Sequence, residues 1–301
     1  MKFLLLSDIH ATSKNPIARK DNVMTTFFKK FTFILEYAKK HGCIILQAGD
    51  CFDKERDWYL LFNLMKLLNR YKVPIYSIFG QHDSYLYSNI NKTPTTLSVL
   101  NRTGLIKMLR RTPVKVGRGI KIYGSSWHKP IPVPDKHNPL NILVIHASVY
   151  THPLFPEHKF TQVERFAKQN SGYKLILVGD IHRQFIYMNQ TTHVVNTGPM
   201  LRLDAIEYNN THKPSAFVYD SRYDTINKIS IPHKKCDDVL DYSHLSKEDY
   251  TVSARAEWIQ SVKEHQVISP NIKANIRRAI RKHPISRRAK EILTEVMENG
   301  S

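Results

Sequence analysis

Residues 43–53 read Cys43-Ile44-Ile45-Leu46-Gln47-Ala48-Gly49-Asp50-Cys51-Phe52-Asp53: an apolar run of strand length that stops at a glycine and runs into carboxylates. Four other places repeat the arrangement. Leu4-Leu5-Leu6 leads into Ser7-Asp8-Ile9-His10, and Ile75–Phe79 into Gly80-Gln81-His82-Asp83. Leu143–Ile145 leads into His146, and Leu175–Val178 into Gly179-Asp180-Ile181-His182. Between the first three runs lie helical patterns. Over Thr25–Lys40, Phe27, Phe31, Ile34, Leu35 and Ala38 share one face and Gly42 follows as a stop; over Tyr59–Tyr71, Leu60, Leu61, Leu64, Leu67 and Leu68 do the same. This β-α-β-α-β order predicts parallel strands joined by right-handed crossovers. The carboxyl ends of such strands lie side by side, so the polar clusters just beyond them converge on one crevice.

Further along, Thr96–Leu109 reads as a helix. Strands are predicted at Lys121–Tyr123, Ile142–Ile145, Leu175–Val178, His193–Asn196, Phe217–Tyr219 and Ile226–Ile231, with Thr161–Asn170 helical among them. The fold class is α/β, with two packed sheets flanked by helices and a helical C-terminal tail. The composition changes near 234, which divides the chain into a domain at 1–233 and a basic tail at 234–301. In the tail, Pro270–Lys282 and Ser286–Met297 read as amphipathic helices.

Composition narrows the function. Lys+Arg 45 against Asp+Glu 26 gives +19 in 301 residues, a charge that attracts polyanions. Apolar runs are too short to span a membrane. Met1–His10 reads as a first strand and its loop rather than a secretory leader. Cys43, Cys51 and Cys236 form no CxxC pair, which argues against a disulfide framework and a cysteine zinc site and for a reducing, intracellular setting. No P-loop and no nucleophile elbow is present.

Carboxylates and imidazoles gathered in one crevice repel one another unless cations sit among them. Mixed oxygen and nitrogen donors suit Mn²⁺, Fe²⁺ or Zn²⁺ better than Ca²⁺. A pair of such ions polarises a phosphoryl oxygen and makes water between them more acidic.

Asp8-x-His10, Gly49-Asp50-x-x-Asp53, Gly80-Gln81-His82-Asp83, His146 and Gly179-Asp180-x-His182 together resemble the five motifs of the calcineurin-like metallophosphoesterases, over about residues 1–232. Within that superfamily the chain looks most like the Mre11/SbcD DNA nucleases. Asp83 ends the third motif, Asn15-Pro16 and Arg19 follow the first, and Asn196–Asp204 (NTGPMLRLD) is similar to the segment that closes the nuclease domain. The resemblance implies the metallophosphoesterase fold, in α-β-β-α layers, and two divalent metal ions, Mn²⁺ first and Mg²⁺ second. Asp8, His10, Asp50 and His182 would hold one ion. Asp50 would bridge to the other, completed by Gln81, His146 and Asp180. His82, oriented by Asp83, would stabilise the transition state or protonate the leaving 3′ oxygen, with Asp53 just outside the ligands. Gln81 and Asp180 depart from the Asn and His usual in the family, and the extra carboxylate shifts preference toward Mn²⁺ or Mg²⁺.

It further implies metal-dependent hydrolysis of DNA phosphodiesters, exonucleolytic or endonucleolytic, in repair or recombination. The partner would be a Rad50/SbcC-like ATPase docked on the C-terminal helices, and the chain would form a homodimer through the helices at Tyr59–Tyr71 and Thr96–Leu109, which carry Leu60, Phe62, Met65, Leu97, Leu100 and Leu105. Arg19, Lys20, Arg202, Arg277, Arg278 and Arg281 are candidate contacts to DNA phosphates. The alternatives are a phosphodiesterase or phosphatase for small phosphoesters, and a non-catalytic scaffold of the same fold.

Overall fold

Alternation along the first strand sets the layering: Phe3 and Leu5 point to one side of a sheet, Leu4 and Leu6 to the other, and both sides are buried. The computed structural model describes residues 1–85, 94–154 and 158–243. The elements begin with β1 (Lys2–Leu6), α1 (Val23–His41), β2 (Cys43–Gln47), α2 (Trp58–Tyr71), β3 (Ile75–Ser77), α3 (Thr96–Arg102) and β4 (Lys107–Met108). Then follow β5 (Val114–Val116), β6 (Ile120–Ser125), β7 (Leu140–His146), β8 (Val149–Tyr150), β9 (Thr161–Gln162), α4 (Val163–Gln169) and β10 (Leu175–Gly179). The last are β11 (Phe185–Met188), β12 (His193–Asn196), α5 (Glu207–Thr211), β13 (Ser215–Asp220), β14 (Thr225–Ser230) and α6 (Cys236–Val239).

Two six-stranded sheets result, ordered β14-β13-β1-β2-β3-β4 and β11-β12-β10-β7-β6-β5. Their centres are parallel, β1-β2-β3-β4 in one and β12-β10-β7-β6 in the other, with antiparallel strands at the margins. Phe3, Leu5, Leu46, Ile142, Val144, Leu175 and Leu177 form the dry layer between the sheets. Leu4, Leu6 and Ile45 face α1, α2 and α3; Leu143, Ile145, Ile176 and Val178 face α4. The expected sandwich flanked by helices is the observed one.

Local chemistry sets the helix ends. Asn22 caps α1, accepting from Thr25 N–H at 2.8 Å, and Gly42 leaves it in the left-handed conformation, φ 63°. Asp57 caps α2 through Leu60 N–H at 3.0 Å. The helix expected over Thr96–Leu109 stops at Arg102. Gly104 turns the chain at φ 76°, and Lys107–Met108 joins the sheet beside β3. Likewise Thr161–Gln162 pairs as β9 with β8, so α4 starts only at Val163. The composition boundary at 234 falls within packed chain. Val239 and Leu240 are buried, Lys20 N–H donates to Val239 at 3.0 Å and Asp241 N–H to Ala18 at 2.8 Å. This domain therefore continues past 233 and takes in Cys236–Leu240. The helices read at Pro270–Lys282 and Ser286–Met297, with Arg277, Arg278 and Arg281, lie outside the described residues.

Leu177→Ala should destabilise the protein by about 2–5 kcal/mol, since it opens a cavity between the sheets. Val133→Ala, at an exposed position, should stay within roughly 0.5 kcal/mol of the parent. Urea midpoints at equal m-value check both.

Candidate metal centre

Parallel register aligns the strand ends. Leu6 pairs with Gln47, Gln47 with Ser77, and Gly179 with His146. Beyond these levels the chain leaves the sheets in strained backbone. Asp8 (φ 48°), His10 (φ 48°), Asp50 (φ 51°) and Asp180 (φ 100°) all take positive φ, which costs about 1–3 kcal/mol for a non-glycine residue held there by its surroundings. Those surroundings are visible. His10 N–H donates to the Asp50 carbonyl at 3.0 Å and Ala11 N–H to Cys51 at 2.9 Å, which joins the first two loops. Gly80 comes so near that a Cβ on it would lie 2.0 Å from Asp50 Oδ1, so only glycine fits.

The side chains meet in two adjoining groups. In the first, His10 Nε2 and His182 Nε2 are 2.9 Å apart, His182 Nε2 is 3.8 Å from Asp8 Oδ1, and His10 Nε2 is 3.8 Å from Asp50 Oδ2. In the second, His146 Nε2 lies 2.6 Å from Gln81 Oε1, 3.4 Å from Asp50 Oδ2 and 3.9 Å from Asp180 Oδ1. Gln81 Nε2 donates to Asp180 Oδ1 at 3.2 Å. One oxygen of Asp50 thus faces both groups, while its other oxygen accepts from His82 N–H at 2.9 Å. All seven candidate ligands come together.

The donor set fits divalent ions. Oδ2 of Asp8 and Oδ2 of Asp50 are buried with no hydrogen-bond partner, a costly state for carboxylate oxygens that a cation removes. Nitrogen and oxygen ligands sit about 2.0–2.2 Å from such an ion, which spaces neighbouring ligand atoms roughly 3–3.5 Å apart; the separations here, from 2.6 to 3.9 Å, bracket that spacing. Asp8, His10 and His182 form one compact triplet, and Asp8, Asp50 and His146 another.

Protonation follows burial and charge. Burial, helped by the Asp50 and Asp180 charges, pushes the Asp8 carboxyl up to about 8. Burial opposes ionisation of Asp50 as well, but His146, His10 and His82 hold its carboxyl well below the usual range. His146 moves the other way. Burial disfavours its cation, yet Asp50, Asp8 and Asp180 raise it to about 10. Burial and mutual repulsion keep His10 low, and burial brings His182 to about 4, so both are neutral imidazoles with a lone pair to give.

His82 stands beside this cluster, its ring edge-on to His10 with centroids 4.9 Å apart. Here the expectation for Asp83 is corrected. Nδ1 of His82 donates to the backbone carbonyl of Asp53 at 2.9 Å. Asp83 instead accepts from three backbone amides, Gly80 at 3.0 Å, Phe52 at 3.1 Å and Cys51 at 3.2 Å. Its carboxylate staples the third loop to the second and so holds the backbone that carries His82. Asp53, expected just outside the ligands, orients the His82 ring through its main-chain carbonyl.

Arg19 and Arg202 are not open surface cations. Both are buried, and Arg19 Nη1 donates to the Arg202 carbonyl at 2.8 Å. Lys20 Nζ donates to the Asp237 carbonyl at 3.0 Å. Three further residues, Ser7, Asn196 and Thr197, position the ligand loops. Ser7 Oγ donates to Asn196 Oδ1 at 2.9 Å, Ser7 N–H to Thr197 Oγ1 at 2.7 Å, and Asn196 Nδ2 to the Ile181 carbonyl at 2.7 Å. This lashes the end of β12 to the loops that carry Asp8 and His182. Buried Ser, Asn and Thr beside ligand loops carry no sequence signal beyond their place in the NTG run.

Asp50→Ala should abolish stoichiometric binding of both ions. Gly80→Ala should do much the same from outside the ligand set, because its methyl displaces the Asp50 carboxylate. Metal analysis of dialysed protein by mass spectrometry checks both, and retention of one ion per chain by Asp50→Ala would show that its carboxylate does not bridge.

No curated protein matches the chain. Solved structures to which the chain is similar include a Thermus thermophilus protein (14% identity, TM-score 0.49, covering 77% of this chain and 99% of that one). Others are an archaeal phosphodiesterase (12%, 0.41, 76% and 99%) and a hypothetical protein of Pyrococcus horikoshii (15%, 0.43, 86% and 93%). The profile of the calcineurin-like phosphoesterases matches residues 1–184, a span that holds every candidate ligand, and the chain belongs to that family.

Proposed function

We propose that this metallophosphoesterase is a DNA nuclease, the hydrolytic subunit of a repair or recombination complex of the Mre11–Rad50 or SbcCD kind. What carries the reading is charge: the metal cluster is acidic, yet the chain bears +19 overall. The basic excess lies outside the reacting centre, as a long polyanionic substrate requires.

Asp8, His10, His182 and Asp50 would hold one ion, and Asp50, Gln81, His146 and Asp180 the other, with Mn²⁺ favoured and Mg²⁺ second. When bound, the pair supplies positive charge against the phosphoryl oxygens and acidifies water between the ions. The protein's own groups do the rest. The Asp53 carbonyl fixes the His82 ring through Nδ1, so that a proton carried on Nε2 can pass to the leaving oxygen. The Asp83 staple holds Gln81 and His82 at one level with Asp50.

Purified protein with Mn²⁺ should cleave linear and plasmid DNA. His82→Ala should keep both ions and lose about 10²–10⁴-fold in turnover, the usual contribution of a general acid. Turnover of bis-p-nitrophenyl phosphate with no cleavage of DNA would move the reading to a small-phosphoester enzyme. No turnover of either, with metal bound, would move it to a scaffold.

Partner binding is part of the proposal. The ATPase would dock on the C-terminal helices. A homodimer would form through α2, where Trp58 (53% exposed), Tyr59 (67%) and Phe62 (60%) make an exposed aromatic edge. Leu60, Leu97 and Leu100 are buried in the core, and Met65 and Leu105 pack against it, so that edge is what supports self-association. A chain ending at Ser243 keeps the packed Cys236–Leu240 segment. It should keep metal binding and cleavage of short DNA while losing the ATPase in pull-down. Phe62→Glu should halve the mass seen by light scattering, and a monomeric parent at micromolar concentration would end the dimer reading.

A further inference from the structure

A second concentration of charge lies outside the metal centre. Between the start of α1, the Met200–Arg202 segment and the chain at 232–239 opens a cleft of about 420 Å³. Three cations form its floor: Arg19 (7% exposed), Lys30 (4%) and Arg202 (4%). Among the described residues that line the cleft, Asp21 is the carboxylate: its Oδ1 lies 2.5 Å from Arg19 Nη2 and its Oδ2 accepts from Thr26 Oγ1 at 2.5 Å.

The other contacts of these cations are to carbonyls. Arg19 Nη1 donates to Arg202 O, Lys30 Nζ to Met200 O at 2.8 Å, and Arg202 Nη2 to Lys234 O at 2.5 Å. A carbonyl satisfies a hydrogen but does not neutralise a charge. Nε of Arg19 and Nε of Arg202 are buried with no hydrogen-bond partner. Burial, together with the Arg202 and Arg19 charges, lowers the Lys30 ammonium to about 7. Lys29 and Lys234 add exposed positive charge to the lining.

We propose that this cleft binds a terminal phosphate group, apart from the metal centre and independently of the nuclease reading. Two guanidiniums and an ammonium match the several oxygens of a phosphate monoester, the anion for which planar arginine forks are suited. Their depth favours a phosphate at the end of a molecule over a diester inside a strand, whose two flanking sugars would have to enter as well. The group is that of free phosphate or a small phosphate monoester, or the 5′ end of a DNA strand.

The test uses the full chain stripped of metal with chelator, so that the metal centre cannot hold the ligand. Titration calorimetry with inorganic phosphate should show one site. Arg202→Met and Lys30→Met should each weaken it at least tenfold. The paired change Lys29→Ala with Lys234→Ala alters only exposed side chains, leaves the fold intact and should weaken it severalfold. Absence of saturable binding to the parent, or the same Kd in the paired-lysine variant and in every floor variant that folds, overturns the proposal. Competition then identifies the source. Displacement of phosphate by a 5′-phosphorylated oligonucleotide, but not by its 5′-hydroxyl twin, assigns a strand end. Displacement by neither assigns a free phosphate compound. Equal displacement by both means that internal diesters bind, and overturns the terminal-phosphate assignment.

Discussion

Asp50 is the point on which the site turns. It is buried, it ionises against the cost of that burial, and one of its oxygens faces imidazoles from both halves of the crevice. Two further carboxyl groups, Asp8 and Asp180, lie close to it, and burial together with their mutual repulsion pushes the Asp8 group up to about 8. A carboxylate in that position is tolerable only among positive charges, from protonated rings or from metal ions. The left-handed turns, the glycine pressed against the carboxylate and the Asp83 staple all serve to hold this one group where solvent does not reach it.

The sheets make that placement possible. Neighbouring parallel strands in matched register end at one level, so residues far apart in sequence leave from the same edge without long connecting structure. The layer of Leu, Val and Ile between the sheets sets how close the two edges come. His146 and His182 arrive from one sheet, Asp8, His10 and Asp50 from the other. Packing between sheets therefore sets the separation of the ligands, and the chemistry depends on a core that touches none of it.

Much of this was legible in the residues. The apolar runs and the polar groups at their ends located the central strands and every member of the cluster, because both the sheet and the crevice follow from local pattern. Weakly patterned elements were not legible. The β4, β5, β8 and β9 strands are two or three residues long, and their place is decided by the neighbour they pair with. Gly104 inside an apolar stretch ended α3 where the periodicity ran on. The partner of His82 was missed for a related reason. A backbone carbonyl is identical at every residue, so nothing in the sequence marks Asp53 O as the group that holds the ring, whereas the adjacent Asp83 looks like the obvious one.

The positive φ angles at Asp8 (48°) and Asp50 (51°) bear on how such a site can change over time. Aspartate and asparagine enter that region more readily than other residues with a side chain. Ligand and turn are therefore one choice at these positions. A lineage that drops the metal can pass through asparagine with its backbone undisturbed, while almost any other replacement must also rebuild the loop. Loss of catalysis with retention of the fold is thus a short step here, and recovery of catalysis from that state is equally short.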